Sequence, residues 1–163
     1  MIHCKFYLST GVWKGERVKE AKVSAAELAE MARENVPLVG MLAIQVESVL
    51  PGAVTIRVPY QDEFIRPGGT VSGAVLMAVA DFAMYGVVLS LIGRVDLAVT
   101  TNLSINFLRR PPPGDVLAKA RILKLGKRLA VGEVFLHGGD EEDLVAHVTA
   151  TYSIPPQGPG GAR

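Results

Sequence analysis

One acidic residue stands out because it lies in the longest apolar stretch of the chain. Residues 71–92 carry a single charge, which belongs to Asp81 near the middle. Burying a carboxylate among apolar side chains is costly, so an acid kept there is expected to do chemistry. Partial desolvation makes a carboxylate more basic, and Asp81 could therefore act as a base or as a nucleophile. The alternative is a structural acid paired with Arg66 or Arg94.

The start of the same stretch, Ser72-Gly73-Ala74, offers hydrogen-bond donors. Serine is a preferred N-cap, so Gly73 and Ala74 fall in the first helical turn, whose N–H groups have no partner inside the helix. These groups and the positive end of the helix dipole can polarise a carbonyl oxygen. Asp81 follows Gly73 by a little over two turns, which we expect to place it on roughly the same face. The alternative is that Gly73 only starts the helix and Ser72 only caps it.

Hydrophobic periodicity predicts the elements that position these residues. A first helix lies within residues 18–35, where Ser24 and Glu27 have capping-box spacing, and Pro37 ends it. The long apolar stretch is the second helix, and residues 61–70 before it are predicted to be a loop. Six further segments are predicted to be strands: residues 43–50, 54–60, 98–108, 116–124, 129–136 and 144–154.

The order of these elements predicts an α+β fold. A helix that is apolar on all sides cannot lie on a sheet with one side in water, so it must be wrapped. Helices and strands do not alternate regularly, which favours a curved antiparallel sheet around the helix over a doubly wound sheet. We therefore expect one domain over residues 1–163, with a curved antiparallel sheet around a central helix. Its core spans about residues 38–154, after an N-terminal extension and helix over 1–37 and before a flexible tail over 155–163.

Composition excludes several classes of protein. The chain has 163 residues and a formal charge of +1, which gives no general attraction to nucleic acid. A single cysteine, Cys4, excludes a disulfide framework and a multi-cysteine zinc site, and the three histidines lack metal-ligand spacing. We expect no cofactor. The N-terminus does not resemble a secretion signal, so a cytoplasmic, reducing compartment is expected. A transmembrane helix at residues 71–92 is disfavoured by Asp81.

Residues 66–81, RPGGTVSGAVLMAVAD, resemble the signature of hotdog-fold thioesterases, in particular the phenylacetate-degradation (PaaI-like) branch. In that branch a His-Gly-Gly element opens the central helix and an acidic residue follows it. Ser72-Gly73-Ala74 and Asp81 take those places here. Residues 98–111, AVTTNLSINFLRRP, resemble the strand that follows the helix in the family, and the order of elements agrees over residues 38–154. The chain departs from the pattern at Ser72, where the family has histidine, and at Arg66, where it often has asparagine.

The resemblance implies an acyl-CoA thioesterase, which hydrolyses a thioester to a free acid and coenzyme A. Asp81 would be the base or nucleophile, and the N–H groups of Gly73 and Ala74 would bind the thioester carbonyl. In the family a Ser or Thr near Thr100 reaches the active site across a dimer interface and helps to place the water. The alternative for Thr100 is an ordinary β-branched strand residue.

The stretch from residue 109 to residue 128 is strongly basic, with seven basic side chains against one acid, Asp115. Coenzyme A carries a pyrophosphate and a ribose phosphate, which the basic residues flanking turns could bind. A solvated strand face is the alternative, above all for Lys119 and Arg121. The residues expected to contact the substrate are Arg66, Ser72, Tyr85, Arg109, Arg110, Lys127 and Arg128.

A hotdog protomer has an exposed sheet edge and an incomplete site, so we expect a homodimer, paired further into a homotetramer. Two rival functions remain open. A non-catalytic acyl-CoA-binding module is favoured by the departures at Ser72 and Arg66, and Asp81 argues against it. A hotdog dehydratase or hydratase would need a histidine on the helix, which has none. No nucleic-acid or membrane partner is expected.

Overall fold

The computed structural model describes residues 20–139 and 143–156. The predicted N-terminal extension lies largely outside these ranges, as do most of the predicted tail and residues 140–142. The elements in chain order are α1 (Ala25–Asn35), α2 (Pro37–Met41), β1 (Gln45–Leu50), β2 (Ala53–Val58), a 3₁₀ turn (Asp62–Phe64), β3 (Ile65–Arg66), β4 (Thr70–Val71), α3 (Gly73–Ile92), β5 (Val99–Phe107), β6 (Val116–Leu125), β7 (Leu129–Gly138) and β8 (Leu144–Ser153).

Six strands form one antiparallel sheet in the order β1-β2-β6-β7-β8-β5. The sheet curves around α3, which packs against all of these strands. The observed architecture is therefore the predicted α+β hotdog fold. Strand β5 joins the sheet beside β8, the last described strand, and no other described strand pairs with its outer edge.

Helix α3 forms the core of the domain and has clear ends. At its start the Ser72 side chain accepts a hydrogen bond from the Ala74 N–H, and at its end Gly93 takes a positive φ of 84°. Helix α1 packs across it at Gly86, where a Cβ atom would lie 2.7 Å from Leu28 Cδ2. A glycine at position 86 is therefore required for this close packing.

The sheet leaves one stripe of α3 uncovered, contrary to the prediction of a fully wrapped helix. The stripe runs at helical spacing through Ala74, Met77, Ala78, Asp81 and Tyr85, all of them half-buried or exposed. Met77 is 44% exposed although it belongs to the most apolar helix of the chain. Within the described ranges, α3 alone is long and apolar enough to cross a membrane, yet most of it is buried inside the fold. It is a core helix with one open side.

The structure refines the predicted boundaries at three places. The Ser24–Glu27 capping box is confirmed, but Pro37 also opens α2 as its first residue, a position that proline tolerates. The predicted loop over residues 61–70 contains the 3₁₀ turn and the β3–β4 hairpin. The predicted alternation along β5 is interrupted by a bulge between Thr100 and Asn102.

Candidate active site

The carboxylate of Asp81 is held through one of its two oxygens. Its Oδ1 accepts a hydrogen bond of 2.5 Å from the Thr100 hydroxyl and lies 2.8 Å from the Tyr152 hydroxyl. Within the described part of the chain, Oδ2 has no hydrogen-bond partner. The group is half-buried and lies on the uncovered stripe of α3. Asp81 is therefore fixed in orientation while one oxygen stays available.

Thr100 and Tyr152 reach the same oxygen because they are direct cross-strand neighbours. Their Cα atoms pair in the β5–β8 ladder, so their side chains stand on the same face of the sheet, the face towards α3. The β5 bulge follows immediately after Thr100 and changes the register of the strand there. Thr100 thus contacts Asp81 of its own chain, whereas the resemblance placed the corresponding residue across a dimer interface.

Tyr152 is a functional candidate that sequence reasoning missed. The inner face of β8 is otherwise Ala146, Val148 and Ala150, all buried, and Tyr152 itself is only 2% exposed. Burial raises the pKa of its hydroxyl well above the usual value for tyrosine, and the charge of Asp81 adds to this effect. A buried tyrosine needs a hydrogen-bond partner for its hydroxyl. A tyrosine on an otherwise apolar strand face was therefore the sequence signal that could have identified it.

At the start of α3 the two predicted donors differ. The Ala74 N–H is already directed at the Ser72 hydroxyl oxygen, 3.3 Å away. The Gly73 N–H has no hydrogen-bond partner among the described residues. A Cβ atom at position 73 would lie 3.0 Å from Cζ of Phe107, so the Phe107 ring packs against the glycine. The free donor is therefore Gly73, and Ser72 acts as the N-cap.

Gly73 and Asp81, predicted to lie on roughly the same face, are far apart along α3. Eight residues of α-helix advance about 12 Å along the axis and leave the two positions about 80° apart. One carbonyl must lie within about 3 Å of both its hydrogen-bond donor and its attacking group. Gly73 and Asp81 of one chain cannot meet that requirement together.

The arginines considered as partners of Asp81 are engaged elsewhere. Arg66 is exposed in the β3–β4 hairpin, where its Nε lies 3.5 Å from the carbonyl oxygen of Pro67. Arg94 forms an ion pair of 3.2 Å with Asp96. The contacts of Asp81 are thus hydroxyl groups, which excludes the alternative of a structural pair with either arginine.

The basic residues predicted to bind phosphates fall into two groups at opposite ends of the sheet. The Arg109 N–H bonds to Val145, at the start of β8, whereas the Arg128 carbonyl accepts from Ile154, just after its end. Nine residues of strand separate these points by about 30 Å. Arg109 also pairs with Asp143 at 3.0 Å. Within one chain the four predicted residues (Arg109, Arg110, Lys127 and Arg128) do not form one cluster.

Tyr85 lies one turn after Asp81 on the uncovered stripe. Its ring is half-buried, with its centre 6.5 Å from that of Tyr152 and 6.4 Å from that of Phe82. Burial raises the pKa of Tyr85, so its hydroxyl stays protonated at neutral pH. Across residues 20–139 and 143–156, no group of His, Cys, Asp and Glu side chains is arranged to hold a metal ion.

Comparison with known proteins identifies the family. The model of the thioesterase superfamily matches residues 68–145, which include α3 and β5 to β7. A solved structure described as a "putative thioesterase" from a Silicibacter species is 41% identical, covers 86% of this chain and 97% of its own, and superposes with a TM-score of 0.77. The chain belongs to the thioesterase superfamily.

More distant relatives agree with this assignment. The phenylacetic acid degradation protein PaaI from Thermus thermophilus is 26% identical over 73% of this chain and 99% of its own, with a TM-score of 0.65. "Putative esterase Ta0293" from Thermoplasma acidophilum is 27% identical over 69% of this chain and 84% of its own length. The family and these relatives support hydrolysis of a thioester as the general reaction.

Proposed function

We propose that this thioesterase-family protein hydrolyses acyl-CoA thioesters, with Asp81 as the reacting carboxylate. The observation that carries the proposal is the asymmetric holding of Asp81. Two hydroxyls fix Oδ1, while Oδ2 has no partner among the described residues and the side chain lies on the open stripe of α3. An oriented, half-buried carboxylate with a free oxygen is suited to act as a base or a nucleophile.

A second copy of the chain would supply the Gly73 N–H that cannot act together with Asp81 of the first copy. The outer edge of β5 carries exposed apolar side chains at Val99 and Phe107, 57% and 53% exposed. A two-fold axis near the middle of β5 would pair these edges in antiparallel fashion and cover the stripe of α3. The Phe107 end of one copy, which carries Gly73, would then lie beside the Thr100 end of the other, which carries Asp81.

The reaction then divides between the two copies. Asp81 of one copy takes a proton from water, and the water oxygen attacks the thioester carbonyl carbon. The Gly73 N–H of the other copy hydrogen-bonds the oxyanion. The carbon–sulfur bond breaks, and the thiolate of coenzyme A receives the proton from Asp81. In the nucleophilic route, Oδ2 attacks the carbonyl, expels the thiolate and forms a mixed anhydride, which water hydrolyses to both acids.

The same pairing of β5 edges would bring the two groups of basic residues close together. Arg109 and Arg110 of one copy lie at the end of β5 that meets the Lys127 and Arg128 end of the other copy. Their combined charge suits the pyrophosphate and ribose phosphate of coenzyme A. We further propose that the protein works in the cytoplasm and that two dimers associate into a tetramer.

Thiol release from a panel of short, medium, long and aryl acyl-CoAs tests this function. Wild-type protein should release coenzyme A from at least one class, and Asp81→Asn should lose that activity while keeping its fold. Asp62→Asn is the matched control, since Asp62 is an exposed carboxylate that also accepts a tyrosine hydroxyl, from Tyr60 at 2.6 Å. Tight acyl-CoA binding without thiol release would overturn the proposal in favour of a binding module.

A further inference from the structure

Tyr152 occupies a position where a smaller apolar residue would match its neighbours. It follows three buried small or branched residues along the inner face of β8. Its cross-strand neighbour on β7 is Ala130, whose small side chain leaves room for the Tyr152 ring. The ring is packed between the sheet and α3 and lies 6.5 Å from that of Tyr85. Its hydroxyl is thereby carried to α3 at the level of Asp81.

The Tyr152 hydroxyl faces two oxygens of the same residue. It lies 2.8 Å from Asp81 Oδ1 and 2.9 Å from the Asp81 backbone carbonyl oxygen. A phenol has one proton to donate, and a charged carboxylate oxygen is the stronger acceptor. The proton therefore goes to Oδ1 when Asp81 is ionised.

We propose that Tyr152 is the positioning residue of the site: with Thr100 it holds Asp81 Oδ1, so that Oδ2 is the oxygen that takes the proton or attacks the thioester. This inference rests on the proposed function and deepens it. Two donors on one oxygen draw negative charge to that oxygen and fix the carboxylate plane. The other oxygen keeps its lone pairs for the reaction.

The backbone carbonyl gives Tyr152 a second acceptor when Asp81 is protonated. The buried hydroxyl can turn to it without losing its hydrogen bond, which avoids the cost of an unsatisfied buried donor. Burial also raises the pKa of Tyr152, so the hydroxyl remains a donor over the whole working pH range. Tyr152 can thus follow each change in the charge of Asp81 with a small rotation of its O–H bond.

Tyr152→Phe tests the inference, with Tyr60→Phe as the matched control. Tyr60 donates to Asp62 at 2.6 Å on the surface, so the control removes a similar phenol–carboxylate bond that does not involve Asp81. We expect Tyr152→Phe to lower kcat about tenfold with KM changed less than about twofold.

A readout that needs no substrate separates this inference from the proposed function. The ¹³C resonance of the Asp81 carboxyl, assigned with Asp81→Asn, should move at neutral pH in Tyr152→Phe, which removes a donor from Oδ1, and be unchanged in Tyr60→Phe. An unchanged resonance in Tyr152→Phe would overturn the role of Tyr152, whatever the activity. A shifted resonance in a protein whose wild type releases no thiol would overturn the thioesterase proposal alone.

Thr100→Val is the second variant and removes the other donor from the same oxygen. It should move the ¹³C resonance of the Asp81 carboxyl in the same direction as Tyr152→Phe. Thr101→Val is its control, since the Thr101 hydroxyl donates to the Thr151 carbonyl oxygen at 3.1 Å. Loss of kcat in both Thr100→Val and Tyr152→Phe with no movement of that resonance would reduce both residues to structural roles.

Discussion

Two carboxylates, the half-buried Asp81 and the buried Glu133, lie on opposite sides of the same sheet and have different hydrogen-bond partners. Asp81 faces the inner side and is held by two neutral hydroxyls through one oxygen. Glu133 in β7 is on the outer side and has a cationic or ionisable partner on each oxygen. Arg121 Nε lies 2.7 Å from its Oε1 and His147 Nε2 lies 2.8 Å from its Oε2.

The difference separates an acid available for reaction from an acid committed to structure. Burial alone would raise the pKa of Glu133, but the hydrogen bonds from His147 and Arg121 outweigh it and lower the pKa below the usual value. Both oxygens are occupied, and the Arg121 guanidinium also lies 5.7 Å from the centre of the Phe135 ring. Asp81 has no such cation among the described residues and keeps one oxygen free.

The largest expected effect is on turnover. Asp81→Asn should reduce kcat by about 10³-fold, because the amide cannot accept the proton or attack the carbonyl. Glu133→Gln should leave kcat within about twofold, since Glu133 lies across the sheet from the site. Steady-state kinetics on the best acyl-CoA measures both. Equal losses in the two variants would remove the distinction between the two acids.

The next effect concerns the oxyanion donor. Gly73 is the first residue of α3, a position where proline fits the backbone; it removes the N–H and, like alanine, adds a Cβ against Phe107. Gly73→Pro should lower kcat about 10²-fold. Gly73→Ala keeps the N–H but adds a methyl group against Phe107, so it isolates the steric part. An equal loss of kcat in Gly73→Ala and Gly73→Pro would show that the Gly73 N–H is not the oxyanion donor.

For folding stability the order is reversed: replacing Glu133 should lower the free energy of unfolding more than replacing Asp81. Glu133→Gln should cost about 2 kcal/mol of unfolding free energy at neutral pH, whereas Asp81→Asn should cost under about 1 kcal/mol. Since folding lowers the pKa of Glu133, its contribution is complete above the unfolded value of about 4.5 and is lost as pH falls through the lower pKa of the folded state. Urea unfolding at pH 7 and at a series of acidic pH values measures this. A Glu133→Gln deficit that persists in acid would contradict it.

The smallest effect concerns the basic groups. Replacing both Arg109 and Arg110 by Gln should raise KM for acyl-CoA about fivefold with kcat unchanged, and the difference should shrink at high salt. The control replaces Lys22 and Arg33 by Gln, which removes the same charge elsewhere. A KM equal to that of the control would show that these arginines do not bind coenzyme A.

The sequence predicted the fold because its signals are local. The apolar periodicity of α3 and the alternation of β5 to β8 depend on residues close in the chain. Asp81 was identified for the same reason, since it interrupts an apolar helix. The β5 bulge that alters the register beside Thr100 has no comparable signature in the sequence.

What the sequence did not predict depends on pairing between distant segments. Tyr152 meets Asp81 only because β8 lies beside β5, 52 residues apart at the paired positions Thr100 and Tyr152. The basic stretch is continuous in the chain, but strand β6, which lies between Arg109 and Arg128, places them at opposite ends of the sheet. The open stripe of α3 also follows from the sheet, which covers the helix on its other sides.

Co-expression of two inactive chains tests the central claim, that one site is built from Asp81 of one copy and Gly73 of another. Asp81→Asn and Gly73→Pro chains carrying different affinity tags are co-expressed, and dimers separated from tetramers by size are purified through both tags, so that only mixed dimers are assayed. Each mixed dimer holds one site of two with both groups intact, so it should regain about half of wild-type activity. Activity no greater than that of the two separate variants would contradict the claim.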